Sequence, residues 1–203
     1  MYNKIRLECF RPVFDKVEEI IEKNRPCIIA IDGMCGSGKT YLANLLAEKY
    51  EVNVFHMDDF YLPPEMRTKE RLEQPGGNVY YERFKKEVLM PLLEQNTVYY
   101  RPYLCGVWKY DEVKKIEYKK INIVEGSYSM HPYLREAYDL TVFLEVNSEI
   151  QKERILEREG EIKLQQFVSK WIPLENKYFN ELKIKESSDI SVDTTSNKLS
   201  NLS

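Results

Sequence analysis

Gly33, Gly36, Ser37, Gly38, Lys39 and Thr40 fall at the spacing G-x-x-x-x-G-K-T, and a segment of that kind can hold a chain of phosphates. Its glycines let the backbone curl until several N–H groups aim at phosphate oxygens, and a helix opening near Lys39 adds the positive end of its dipole. Lys39 is then placed to reach the β- and γ-phosphates of a nucleotide, and Thr40 to ligate Mg²⁺. Two sets of acids follow later apolar runs: Asp58 with Asp59 after residues 52–57, and Glu125 after residues 121–124. Phosphoryl transfer to an alcohol benefits from a carboxylate that orients the hydroxyl and accepts its proton, and from acidic groups around the metal. Asp58 stands where the first role is needed and Glu125, at a Walker-B-type position, where the second is. Each has a plainer alternative: Asp58 and Asp59 as a turn or capping pair, and Glu125 as a surface acid at a strand end.

These residues need a frame that brings them to one place. Residues 27–31 form a short apolar run of buried-strand type, and residues 41–50 form a helical segment with Leu42, Leu45 and Leu46 on one face. Strand, glycine turn and helix therefore come in the order a phosphate loop requires. Further strands are predicted at 52–57, 121–124, 140–146 and 189–193, and helices at 13–24, 81–95, 148–159 and about 162–182. Strands alternating with helices imply crossover connections and a doubly wound α/β fold, a parallel sheet covered on both faces. In such sheets ligands gather beyond the carboxyl ends of the strands, where all the candidate residues lie. Residues 97–120, rich in tyrosine and lysine, break the rhythm and are predicted to insert a hairpin beside the site. The chain reads as one domain over 1–203, with a leading helix at 11–25, a core at 26–195 and a polar tail at 196–203, its fraying beginning at Thr194.

Composition narrows the class. With 203 residues, 43% of them hydrophobic, the chain can bury a sizeable core. Its net charge of −3 gives no general attraction to nucleic acid or to an anionic membrane. Lys114, Lys115, Lys119 and Lys120 cluster, but Asp111, Glu112 and Glu117 dilute them, so a solvated hairpin is expected there. No apolar run approaches a membrane span, and residues 1–10 lack a signal-peptide core. The four cysteines have neither metal-ligand spacing nor a disulfide pattern, which suits a reducing cytoplasm. Cys35, inside the loop, is either a reactive thiol or a small filler. His56 reads as a strand-end residue, and Trp171, Tyr178 and Phe179, at helical spacing, as anchors for a C-terminal helix.

The segments GMCGSGKT, HMDDFYLP, PGGNVYYERF, RPY, IVEGSY, ERILEREG and WIPLENKYF together resemble the uridine kinase family of P-loop kinases, especially its short bacterial members, over about residues 26–193. Kinases of pantothenate, phosphoribulose and nicotinamide riboside share much of that layout. The resemblance implies a P-loop fold of kinase type with a helical lid, and ATP and Mg²⁺ as cofactors. It implies Asp58 as base toward the acceptor hydroxyl, Tyr61 in the acceptor pocket, and Arg154 with Arg158 closing over the triphosphate. The two arginines lie four apart on one helical face and can point together at a phosphate; interleaved with Glu153, Glu157 and Glu159, they can equally form a solvated face. Two positions depart from the family. Tyr80 stands where uridine kinases carry an aspartate for the ribose hydroxyls, and Leu104 stands where a polar residue follows Pro-Tyr. Tyr103 and Trp108 remain available to stack on an acceptor or to pack the hairpin.

The expected activity is transfer of the γ-phosphoryl group of ATP to a hydroxyl of a small molecule, a nucleoside such as uridine or a related metabolite, in the cytoplasm and without nucleic-acid or membrane partners. A kinase of another alcohol, such as pantothenate or a vitamin riboside, and a nucleotide-binding switch without acceptor chemistry are the alternatives. Kinases of this layout are often homo-oligomeric, but no apolar stripe in the sequence marks an interface.

Overall fold

The computed structural model describes residues 8–196. A helix α1 (Arg11–Glu22) leads into β1 (Cys27–Gly33), followed by α2 (Lys39–Lys49) and β2 (Val52–His56). A 3-10 turn (Met57–Phe60) and a short α3 (Lys69–Glu73) lead to a broken helix, α4 (Tyr81–Phe84) and α5 (Met90–Leu93). The inserted segment holds β3 (Val98–Tyr100), β4 (Tyr103–Leu104), β5 (Lys109–Tyr110) and β6 (Lys114–Ile116). Then come β7 (Ile121–Glu125), β8 (Leu140–Glu145), α6 (Ser148–Glu159), α7 (Glu161–Gln166), α8 (Ile172–Glu181) and β9 (Ile190–Asp193).

Five strands make one sheet in the order β2-β7-β1-β8-β9, every pair parallel. The chain winds outward from β1 to β2 and then returns across β1 from β7 to β8, so the direction of winding changes at the end of β1. β1 is buried at all seven positions, as a central parallel strand covered on both faces must be. Its side chains alternate between two cores: Ile28 and Ala30 join Phe55, Phe60, Phe84 and Tyr178, while Ile29 and Ile31 join Val13, Val17, Leu42 and Leu46. Tyr178 and Phe179 anchor α8 as expected, being 0% and 7% exposed, whereas Trp171, expected with them, is half-buried at the turn before α8. Among the described residues no helix is long and apolar enough to cross a membrane.

Three expectations change. The helices predicted at 81–95 and 162–182 are each interrupted by a π-turn, at Lys85–Leu89 and Phe167–Trp171. In each, the residue closing the π-turn, Met90 or Ile172, bonds the carbonyl five positions back, and a proline follows it, Pro91 or Pro173. A proline in a regular helix clashes with the carbonyl four positions earlier, and the wider turn removes that clash. The inserted segment is two nested hairpins, β4–β5 inside β3–β6. Thr194, expected at the start of a frayed tail, is fully buried; the remainder of the predicted tail, beyond residue 196, lies outside the described residues.

Candidate active site

The site is assembled at the end of β1. Gly33 has φ of +139°, and a Cβ there would stand 2.0 Å from the Leu144 carbonyl of β8, so only glycine lets the loop leave the sheet here. Gly38, at φ +96°, caps α2 in the left-handed region. Lys39 Nζ donates to the carbonyls of Gly33 (2.8 Å) and Met34 (3.0 Å), holding the loop closed around the lysine. Ser37 is fully buried and its hydroxyl has no hydrogen-bond partner among the described residues. An orphaned donor in a glycine loop at a helix start fits an anionic phosphate ligand.

Parallel register sets the acids. β7 lies between β1 and β2, and Glu125 is level with both Ile31 and His56. The Thr40 hydroxyl is 3.2 Å from each Glu125 carboxylate oxygen, and His56 Nδ1 is 2.6 Å from one of them. That bond to Glu125 raises the His56 pKa, against the opposing effect of burial. Thr40 and Glu125 form a hard-oxygen pair suited to Mg²⁺, which keeps several waters and shares its coordination with substrate phosphates. No cluster of three or more ligating acids, histidines or cysteines is present among the described residues.

The two adjacent aspartates are sorted by the turn that follows β2. Asp59 turns to the hairpin, where it accepts from the Tyr100 hydroxyl (2.9 Å) and Lys114 Nζ (3.0 Å). Asp58 faces the phosphate loop. Although residue 58 is solvent-accessible, protein packed around its carboxyl raises its pKa, helped by the negative charge of Glu125; Lys39 and a hydrogen bond with Tyr61 act the other way. Lys39, Thr40, Asp58, Tyr61 and Glu125 are therefore brought together.

The remaining candidates make other contacts. Arg154 donates to the Gly36 carbonyl (3.0 Å) and to the hydroxyl and carbonyl of Thr194 (3.1 and 2.7 Å). Arg158, on the same helix, pairs with Glu159 at 2.9 Å. Both arginines reach the phosphate loop from α6: the Gly36 carbonyl and Thr194 engage Arg154, which braces the loop, while the Arg158 charge reaches the loop at Cys35. Tyr80 borders the turn that carries Asp58, its N–H donating to the Phe60 carbonyl at 2.7 Å. It lines a cavity of about 660 Å³ with Arg83, Tyr100 and Tyr110, and neither the phosphate loop nor the turn carrying Asp58 contributes to that lining. Tyr103 is buried with its ring against Tyr110, so it packs the hairpin, whereas Trp108 is 53% exposed beneath the Arg67 guanidinium. Burial pushes the Cys35 thiol far up, which makes it a filler rather than a nucleophile.

Several residues of the site carry no local signal in sequence. Asp32, fully buried, accepts from the backbone of Gly33 (2.7 Å), Tyr128 (3.2 Å) and Met130 (2.8 Å) and from the Tyr178 hydroxyl (2.8 Å). Burial pushes its pKa up to about 6. Glu175 of α8 accepts from the Cys35 N–H (2.8 Å) and the Ser127 hydroxyl (2.7 Å). Gln151 donates to the Cys35 carbonyl at 2.9 Å. The one clue was Asp32, an acid between the apolar run 27–31 and Gly33.

A parallel sheet in this order, with the glycine loop after its central strand and an acid ending the next, defines a P-loop α/β protein of kinase type. Its sequence and fold are uridine kinase-like. The chain is 28% identical over 149 residues to the uridine kinase of Ligilactobacillus salivarius (strain UCC118), covering 68% of this chain and 69% of that one. It is 26% identical over 151 residues to the uridine kinase of Bacillus cereus (strain AH187), covering 67% and 68%. The structure of a possible uridine kinase from Bacillus stearothermophilus superposes with a TM-score of 0.64 at 18% identity, covering 89% of this chain and 98% of that one, a likeness of fold. No family model matches the chain.

Proposed function

We propose that this chain is an ATP-dependent kinase that moves the γ-phosphoryl group to a hydroxyl of a small molecule. The observation that carries the reading is the placement of Asp58, whose carboxyl lies within electrostatic reach of both Lys39 and Glu125. A nucleotide-binding protein without acceptor chemistry has no evident need for an acid at that point. Lys39 and the loop amides hold the phosphates, and Thr40 with Glu125 holds Mg²⁺, which supplies charge neutralisation when bound. Asp58 takes the proton from the acceptor hydroxyl as its oxygen bonds to the γ-phosphorus. The bond from that phosphorus to the β–γ bridging oxygen breaks, and ADP leaves. The relatives named uridine kinases make uridine the first acceptor to try, with pantothenate and vitamin ribosides next.

The test is ADP release from purified protein with ATP and Mg²⁺ across such a panel, with Asp58→Asn alongside. Acceptor-dependent ADP lost in the variant supports the kinase. Intact ATP binding with no acceptor-dependent ADP from any compound supports the switch instead.

A further inference from the structure

Two lines of contact run outward from Asp58, and each ends in a cation lying on an indole. One passes through Tyr61, which hydrogen-bonds Asp58. Its ring lies 5.9 Å from that of Trp171, and Lys170 Nζ stands 4.6 Å over the Trp171 ring. The other passes through Cys105, whose thiol is within electrostatic reach of Asp58 and hydrogen-bonds Arg67. The Arg67 guanidinium lies 4.6 Å over the Trp108 ring. Lys170 acts on the same thiol, so the two lines close on one mouth beside Asp58.

The charges around this mouth are unequally committed. Lys39 is held by loop carbonyls, Arg154 by Gly36 and Thr194, Lys114 by Asp59, and Arg158 by Glu159. Arg67 donates through Nε to the Leu62 carbonyl at 2.8 Å, and among the described residues neither Arg67 nor Lys170 forms an ion pair with a carboxylate. Glu65 and Arg67 both act on Tyr103, yet they do not pair with each other. Trp108 closes the turn between β4 and β5 with φ of +55°, a left-handed conformation that such a turn accommodates. A guanidinium and an ammonium on aromatic plates, without acids of their own, are donors awaiting an oxyanion. Of the two positions that depart from the uridine kinase pattern, Tyr80 lines the other cavity, and Leu104 is apolar and 41% exposed.

We infer that the acceptor is a small alcohol bearing an anionic group, a carboxylate or a phosphate, held by Arg67 and Lys170 while its hydroxyl meets Asp58. The inference rests on the kinase reading above and narrows its substrate class.

The experiment measures kcat/KM for matched acceptors that differ in that one group: pantothenate against panthenol, glycerate against glycerol, and ribose 5-phosphate against ribose, with uridine as the neutral nucleoside. Wild type is compared with Arg67→Gln, Arg67→Lys and the double variant Arg67→Gln/Lys170→Gln, each checked for native circular dichroism, with KM for ATP recorded throughout. The expected result is an anionic member at least about tenfold better than its neutral partner, the preference collapsing in the double variant, partly kept in Arg67→Lys, and KM for ATP moving less than about twofold. The carboxylate and phosphate pairs tell the two anions apart. Efficient turnover of uridine or another neutral compound, untouched by Arg67→Gln, overturns the inference and leaves the kinase standing. A rise in KM for ATP without a change in acceptor preference assigns the two cations to the triphosphate and also overturns it. No acceptor-dependent ADP from any compound, with ATP bound, removes the kinase reading and this inference together.

Discussion

The Thr40 hydroxyl stands 3.2 Å from both carboxylate oxygens of Glu125, a residue 85 positions away that parallel register brings level with the end of β1. The same carboxylate is also held by His56. A metal on this pair therefore meets an acid whose orientation is already fixed. Glu125→Gln is expected to lower ATP turnover on the order of 10- to 100-fold, with more Mg²⁺ needed for half-maximal rate. Magnesium titration of ADP release checks it; an unchanged magnesium requirement would show that Glu125 does not serve the metal.

Asp58 and Asp59 are chemically alike and adjacent, and their partners separate them. Asp58→Asn is expected to lower the acceptor-dependent rate by about 10²- to 10⁴-fold, the usual range for loss of a general base, with ATP binding nearly intact. Asp59→Asn loosens Tyr100 and Lys114 instead, so its effect falls on thermal stability and hairpin position. Equal losses of rate in the two variants would contradict the division.

How far such assignments could be read from sequence depends on the range of the contact. The loop, its strand and its helix are contiguous, and Asp58 and Glu125 follow apolar runs that end where ligands gather, so local pattern sufficed. Arg154 and Arg158 do share a helix, but a partner 40 residues on, Thr194, determines where Arg154 points. Glu175 meets Cys35 across 140 positions with no feature of its own segment to announce it. The π-turns were legible in principle, since Pro91 and Pro173 sit inside otherwise regular helical patterns.

The His56 and Glu125 pair makes stability depend on pH in the metal-free protein. The folded-state pKa of His56 is raised above its ordinary value of 6.5. The pair's contribution is therefore fully present below about pH 6.5 and is lost as pH rises through the higher folded value. Melting temperatures of wild type and His56→Gln in chelator should differ most near pH 6 and converge by about pH 9. A gap that widens with pH would reverse the assigned sign.

Thr194 ties the last strand to the phosphate loop. Its one hydroxyl proton is shared between the carbonyls of Ser37 (2.9 Å) and Glu145 (3.0 Å), and its oxygen accepts from Arg154. Thr194→Val keeps the shape and removes the hydroxyl, leaving buried groups unsatisfied at a cost of about 1–3 kcal/mol. At about 2–4 °C per kcal/mol for a chain of this size, the melting temperature should drop by several degrees. ATP affinity should fall as well, because Ser37 and Gly36 lose their common brace; a change confined to stability would place the loop's support elsewhere.

Glu175 brings α8 against the loop and the turn after β7 at once, one carboxylate serving Cys35 N–H and the Ser127 hydroxyl. Ser127 in turn lies 3.2 Å from the Gly33 carbonyl, so the acid sits in a ring of contacts around the loop's entrance. Glu175→Ala leaves both donors buried without an acceptor, which costs about 1–3 kcal/mol for each, and the loop relaxes. Glu175→Gln retains an acceptor oxygen for Cys35, and its amide can donate to Ser127 Oγ. If the role is geometric, Gln should restore most of the melting temperature and ATP affinity that Ala removes. If the carboxylate acts through its charge on Asp58, which it helps to hold above the usual range, Gln should restore stability while the acid limb of the rate profile moves to lower pH. Measuring melting temperature, KM for ATP and the pH profile of kcat on the same two variants separates these roles, and wild-type values in Glu175→Ala for all three would exclude both.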